Sequence, residues 1–394
     1  MHRHARYTHL GIAAALAALL APAAGAYGAA DAVAVQPPVP PAVVAPVESG
    51  FRQLRNLDLT AAEATFRSVI SLSSNHPAGY VCLALTALVR VMSVGTTPDD
   101  ERLCAQAAAD AVRTGMDSLR RADDPWVRFF LGMALLLQAR TCSDQGRTLE
   151  ALQLVKRGLL HIERAHADAP RVTDALAVLG AYQYFASHLP WYVRTLAAFL
   201  VLPPDREQGR ERLEQAAANA RYCAAEARAA LTTAAWWDSD AEHALGAAAA
   251  LTNAFPANYH FALLAQHVML GARRTGDALA AATHTLAVIQ RDDRPAAYGM
   301  IADQQYMLGL IRIAQTNYQA ALTHFGIAAT VGRNKPWIQG WALLRQGMMH
   351  DVLGRREAAR QCYAAACGPE YRSERLRQFA RAFGARPYAG EAIE

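Results

Sequence analysis

Lysine is almost missing from this chain. Lys156 and Lys335 are the only two, so arginine supplies the other 37 of 39 basic residues. Charge of either sign is sparse at 19% of residues, against about 25% in ordinary domains. The formal net charge of +5 is mild and evenly spread, which excludes the basic stripe or patch that nucleic acid requires. Cysteine is scarce as well. The six, Cys82, Cys104, Cys142, Cys223, Cys362 and Cys367, contain no CxxC, which excludes a zinc ribbon and a thioredoxin-type pair. Most are expected to be small buried helix residues. Alternating runs of β-branched and aromatic residues are absent, which argues against an all-β domain. No stretch reads HExxH, GxSxG, a P-loop or GxGxxG before a helix, so no familiar catalytic or cofactor motif is available.

Alanine is abundant, with 86 of 394 residues, and 53% of the chain is apolar. That is too hydrophobic for a disordered chain. Ala, Leu and Arg are strong helix formers, so the expected class is all-α.

The first 26 residues read as a secretory signal. A basic start carries Arg3 and Arg6, an apolar run extends from Leu10 to Ala21, and Ala24-Gly25-Ala26 fits a cleavage site. About 12 apolar residues fall short of the roughly 20 needed to span a bilayer. An uncleaved anchor is the alternative, and it would leave the rest of the chain on the same outer side. The expected location is therefore periplasmic or secreted. Residues 27–47, with Pro37, Pro38, Pro40, Pro41 and Pro46, are expected to form a disordered proline-rich linker.

From residue 48 to 368 the text is helix after helix, with apolar residues at i, i+3, i+4 and i+7 and short breaks between them. Several breaks carry Pro or Asp where a new helix starts, as at Asp123-Asp124-Pro125 and Pro203-Pro204-Asp205. A pattern recurs. Gly347, Gly354, Ala359, Tyr363 and Ala366 stand at offsets of 7, 5, 4 and 3, and Gly309, Thr316, Ala321, Phe325 and Ala328 repeat them 38 residues earlier. Weaker copies are Met269, Gly276, Ala281, Thr285, Val288; Thr232, Ser239, Ala244, Ala248, Leu251; and Gly50, Leu57, Ala62, Phe66, Val69. These residues and spacings resemble the tetratricopeptide repeat (TPR) family, whose unit is a 34-residue antiparallel helix pair. The spacings of 37, 40 and 38 between the later units are longer than that standard.

The resemblance implies an α-solenoid of antiparallel helix pairs, a right-handed superhelix that binds a protein or peptide in a groove lined by the first helix of each pair. Carried over position by position, it assigns to the groove Glu226, Thr233, Trp236 and Trp237; Asp303, Leu310, Ile313 and Ala314; and Trp341, Met348, Asp351 and Val352. Adjacent Trp236 and Trp237 point about 100° apart on a helix, so one is expected to pack and the other to face outward. An insert at 185–204 (FASHLPWYVRTLAAFLVLPP) offers Trp191, Tyr192 and Arg194 as further partner-binding candidates. The bland reading of the insert is one more packed helix.

Residues 369–394 are expected to be a capping helix and tail. Leu376, Phe379 and Phe383 share one side of that helix, with arginines around the rest. A basic helix on an anionic membrane is the alternative reading. The 13 histidines are scattered and read as ordinary surface or interface residues. Glu207 and Glu211 share a helix face with Arg206 and Arg210, which reads as a solvated ion-pair face. No catalytic, cofactor or metal residues are expected. The expected function is a non-enzymatic protein- or peptide-binding scaffold or adaptor in the cell envelope. The rivals are an envelope enzyme with an unrecognised site and a membrane-peripheral structural protein.

Overall fold

The computed structural model describes residues 39–189, 203–371 and 373–390. Among them every regular element is helical and none is a strand. The described α-helices, in chain order, are α1 Val44–Arg55, α2 Leu59–Leu72, α3 Ala78–Ser93, α4 Pro98–Arg121, α5 Pro125–Asp144, α6 Thr148–Asp168, α7 Asp174–Ala186, α8 Arg206–Asn219, α9 Ala224–Trp237, α10 Ala241–Ala254, α11 Tyr259–Gly271, α12 Thr275–Ile289, α13 Pro295–Ala314, α14 Tyr318–Val331, α15 Pro336–Val352, α16 Arg356–Ala365 and α17 Glu374–Ala385. The chain divides into two compact units. The first comprises Met1–Val89 and Pro98–Ala247, and the second Arg90–Thr97 and Ala248–Glu394. Each is an all-α stack of antiparallel, TPR-like helix pairs.

The recurring pair has a common register. Six turns place one residue in the left-handed region: Leu57, Gly146, Ser239, Arg273, Thr316 and Gly354, with φ between 58° and 76°. Each stands seven residues after a small or polar first-helix residue (Gly50, Ala139, Thr232, Gln266, Gly309, Gly347) and five before a buried alanine (Ala62, Ala151, Ala244, Ala278, Ala321, Ala359). The residue after the turn donates its N–H to the carbonyl five residues back, as Asp58 does to Gln53 and Arg355 to His350, at 2.9 and 2.8 Å. This is the Schellman closure, which satisfies the last carbonyls of a helix.

The register corrects one expected unit. It runs Gln266, Arg273, Ala278, Ala282, Thr285 and not Met269, Gly276, Ala281, Thr285, Val288. Arg273 takes the left-handed turn, Ala281 is only half-buried and Val288 is exposed. Gly276 misdirects the reading because it sits inside the first turn of α12. With the correction, Gln266 follows Thr232 by 34 residues, the family spacing. Ala139, Gly146, Ala151, Val155 and Gly158 follow the same offsets and form a further unit.

The linker expectation fails over its last residues. Pro41–Val43 form a 3₁₀ turn that leads into α1, and Val39, Val43 and Val47 are buried. Proline is compatible with both starts. Pro41 opens the turn and Pro46 lies in the first turn of α1, where an N–H has no helical partner to lose. Residues 27–38 and the signal segment 1–26 lie outside the described residues.

Within the first unit, α5 crosses α6 and α7 crosses α8 at paired glycines. A Cβ on Gly132 would stand 2.7 Å from the Gly158 carbonyl oxygen, and one on Gly180 would stand 2.7 Å from that of Gly209. The turns are capped as their sequences suggest. The Asp124 carboxylate accepts from the N–H of Trp126 at 2.7 Å, and that of Asp205 from Gln208 at 3.0 Å. In the second unit, Leu376, Ala380 and Phe383 of α17 are buried on a core that includes Leu344, Met348 and Tyr363. All six cysteines are free thiols. No described helix is long and apolar enough to cross a membrane.

Candidate functional site

In the first unit, Glu226 is not a groove residue. It is 4% exposed, and its carboxylate lies 3.9 Å from the Arg55 guanidinium, which donates to the Tyr222 carbonyl. Burial pushes the Glu226 carboxyl well above the usual range, opposed by the charge of Arg55. Burial also pulls the Arg55 guanidinium down to about 10. Beside this pair, the buried Asp174 carboxylate accepts from the N–H groups of Arg221, Tyr222 and Cys223 at 2.9, 2.6 and 2.8 Å. It thereby ties the start of α7 to the start of α9. Sequence reasoning could not find this tie, because residues 47 to 49 positions apart make it. Thr233 bonds back to the Ala229 carbonyl at 3.0 Å. Trp237 packs edge-on against Phe185 and His188, with ring centroids 5.0 and 5.3 Å apart, and Trp236 is half-buried. Phe185, expected to open the insert, belongs to α7. Trp191, Tyr192 and Arg194 lie outside the described residues. Arg206 and Arg210 pair with Asp238 and Glu214 and not with Glu207 or Glu211.

In the second unit the groove assignment fails at three residues for one reason, burial. Met348 is fully buried core. Asp303 holds the buried ammonium of Lys335 at 2.6 Å. The Asp351 side chain is 1% exposed and accepts from the Tyr363 hydroxyl and the Tyr388 N–H at 2.8 Å each. Leu310 is half-buried against the core, and Trp341 lies half-buried beside Phe379 of α17, 6.4 Å between ring centroids. Ile313 is half-buried, whereas Ala314 and Val352 are exposed. His260 and His267, expected as surface or interface residues, are half-buried, and burial depresses them to about 3 and about 4. The nearby charge of Lys335 lowers His260 further. Ser93 Oγ stands 2.8 Å from His260 Nε2, the geometry of a nucleophile and a base, but Ser93 is fully buried and cannot meet a substrate.

An open groove of about 650 Å³ lies between α14 and α15 of this unit. Its apolar walls are Ile327, Val331 and Leu343, and Ile327 and Val331 are 39% and 41% exposed. Gln339 and Gln346 also line it, donating to the Ala329 and Phe325 carbonyls at 3.1 and 3.3 Å. Each amide nitrogen is thereby fixed, and each amide oxygen remains an acceptor for a ligand. Thr323, Thr330 and Arg333 complete the rim. Such a surface can take an amphipathic segment, and no carboxylate, histidine or cysteine is among its lining residues. Sequence reasoning looked only at first-helix positions and so missed Ile327 and Val331 on α14. Apolar residues at an outward register position of a second helix were the available signal.

No family model matches the chain, and no curated protein matches it. Several solved structures are similar. A tetratricopeptide repeat protein from Parabacteroides merdae ATCC 43184 gives a TM-score of 0.37 at 14% identity, over 76% of this chain and 97% of that one. Human IFIT1, solved as a dimer with PPP-AAAA, gives 0.46 at 14% identity, over 82% of this chain and 71% of that one. The TPR domain of P58(IPK) gives 0.24 at 13% identity, over 86% and 97%. The chain is a TPR-like helical repeat protein by its own recurring helix pair, and these structures are what it is similar to.

Proposed function

We propose that the chain is an exported, non-enzymatic scaffold that binds a protein or peptide segment in the cell envelope. The observation that carries the binding is the groove between α14 and α15, where exposed Ile327 and Val331 lie between fixed amide acceptors. An apolar strip rimmed by polar groups marks a docking site on a soluble surface. Export rests on the n-region, apolar run and small-residue site of residues 1–26. The reading as a binder and not a catalyst is supported by the burial of Ser93 beside His260.

The test is photo-crosslinking in cells from Ile327 and Val331, with the exposed Leu149 of the first unit as the control position. A defined envelope protein should be captured from the groove and not from Leu149. In purified form it should lose at least tenfold in affinity when Ile327→Glu is introduced. Equal capture from all three positions, or an unchanged affinity, defeats the proposal.

A further inference from the structure

The last described residues do not trail into solvent. After α17 ends at Ala385, residues 386–390 are exposed except at Tyr388, which is half-buried. Its ring meets Phe383 edge-on at 5.2 Å between centroids and rests on the core formed by α15, α16 and α17. Its N–H donates to Asp351 Oδ2 at 2.8 Å.

The seat beneath it is built independently of the tail. Asp351 accepts from Arg356 at 3.0 Å on both oxygens and from the Tyr363 hydroxyl at 2.8 Å. Arg356 in turn donates to the carbonyls of Phe383 and Gly384 at 2.8 and 2.7 Å. A buried carboxylate with a fixed direction therefore meets one main-chain N–H, and one aromatic ring fills a half-buried place beside it. Those are the two means by which a surface holds an extended peptide. The main-chain bond gives affinity and the side-chain place gives selectivity. Pro387 limits the freedom that the segment loses on docking.

We propose that residues 386–390 are a resident self-ligand of an extended-peptide seat made by Asp351, Phe383 and Arg356. A partner segment with an aromatic residue after a proline displaces them. The proposal rests on the protein-binding reading above and names a second place and a mode of control for it. Held in the same chain, the tail acts at an effective concentration on the order of millimolar, so it excludes weak competitors and yields to stronger ones.

The test uses the full chain, its Tyr388→Ala variant, and a fluorescein-labelled peptide with the sequence of residues 385–394, followed by anisotropy. The peptide should bind the variant at least tenfold more tightly than the wild type, whose own tail competes. A peptide with alanine in place of its tyrosine should not bind. Equal affinity for both chains, or no saturable binding to a variant with an unchanged circular dichroism spectrum and Tm, overturns the proposal. Should the variant misfold, amide exchange on the wild-type chain decides instead. The Tyr388 amide should exchange at least tenfold more slowly than that of Gly390, and equal rates overturn the proposal. Because the probe is the chain's own sequence, these outcomes do not depend on whether the Ile327 groove captures a partner.

Discussion

At the scale of residues, each helix pair is fixed by volumes that complement one another. Where the first helix carries glycine, the second carries an aromatic ring: Gly50 faces Phe66, Gly309 faces Phe325 and Gly347 faces Tyr363. Where the first helix carries a larger group, the second shrinks, as with Gln266 and Ala282 or Thr232 and Ala248. Gln266 can be buried because its amide donates to Thr285 Oγ1 at 3.1 Å and accepts from Gln304 at 2.8 Å. A Cβ at Gly309 would stand 2.5 Å from the Phe325 ring. Gly309→Ala should therefore cost about 1–3 kcal/mol in urea unfolding. Phe325→Leu added to it should cost less than the two single changes summed, since each relieves the other. The turns give a second prediction. Thr316 is β-branched and left-handed at φ 58°, so Thr316→Gly should raise stability by about 0.5–1 kcal/mol, seen as a higher midpoint. The glycine–aromatic pairs were legible in the sequence because their offsets repeat. The Gln266 pair was not, since its partners Thr285 and Gln304 lie on two further helices.

At the scale of elements, buried carboxylates add ties between elements that the repeat pattern does not record. Asp351 gathers Arg356, Tyr363 and Tyr388, so Asp351→Ala removes one acceptor from the half-buried Arg356 guanidinium and leaves the buried Tyr363 hydroxyl without it. Leaving a buried hydroxyl without its acceptor costs about 1–3 kcal/mol. The loss should fall first on α17, as faster amide exchange over Glu374–Ala385 while α13 keeps its protection. Asp174 does the same for α9, accepting from three successive N–H groups of the turn that leads into it. Of the residues that the family resemblance assigned to a groove, Glu226, Asp303 and Asp351 proved to be such ties. The sequence shows that a carboxylate stands at a first-helix position. Only packing decides whether that position faces solvent or the next helix.

At the scale of the whole molecule, partly buried histidines contribute a pH dependence whose sign follows from their depressed pKa. Burial depresses His76 to about 4, His260 to about 3 and His267 to about 4, against about 6.5 in an unfolded chain. The unfolded chain binds these protons first as pH falls. Their contribution is therefore full above about pH 6.5 and is lost progressively on the way to pH 4 and below. Asp174 and Asp303 are raised by burial and act the opposite way, losing stability as pH rises from the ordinary carboxyl range. A difference measurement separates the two. His260→Gln keeps a polar partner for Ser93 Oγ and should flatten the fall in urea midpoint between pH 7 and pH 4 relative to wild type. An unchanged slope would remove His260 as a contributor. The sequence by itself determined the helical class, the recurring pair and most helix starts. Those follow from local propensity, from apolar spacing and from small residues at fixed offsets. The tertiary structure alone decided which polar side chains are interior ties and which line an open groove. It also decided that residues 39–47 fold and that the tail docks at Asp351. Each of these depends on groups distant in the chain meeting in space, and no periodicity in the sequence records such meetings.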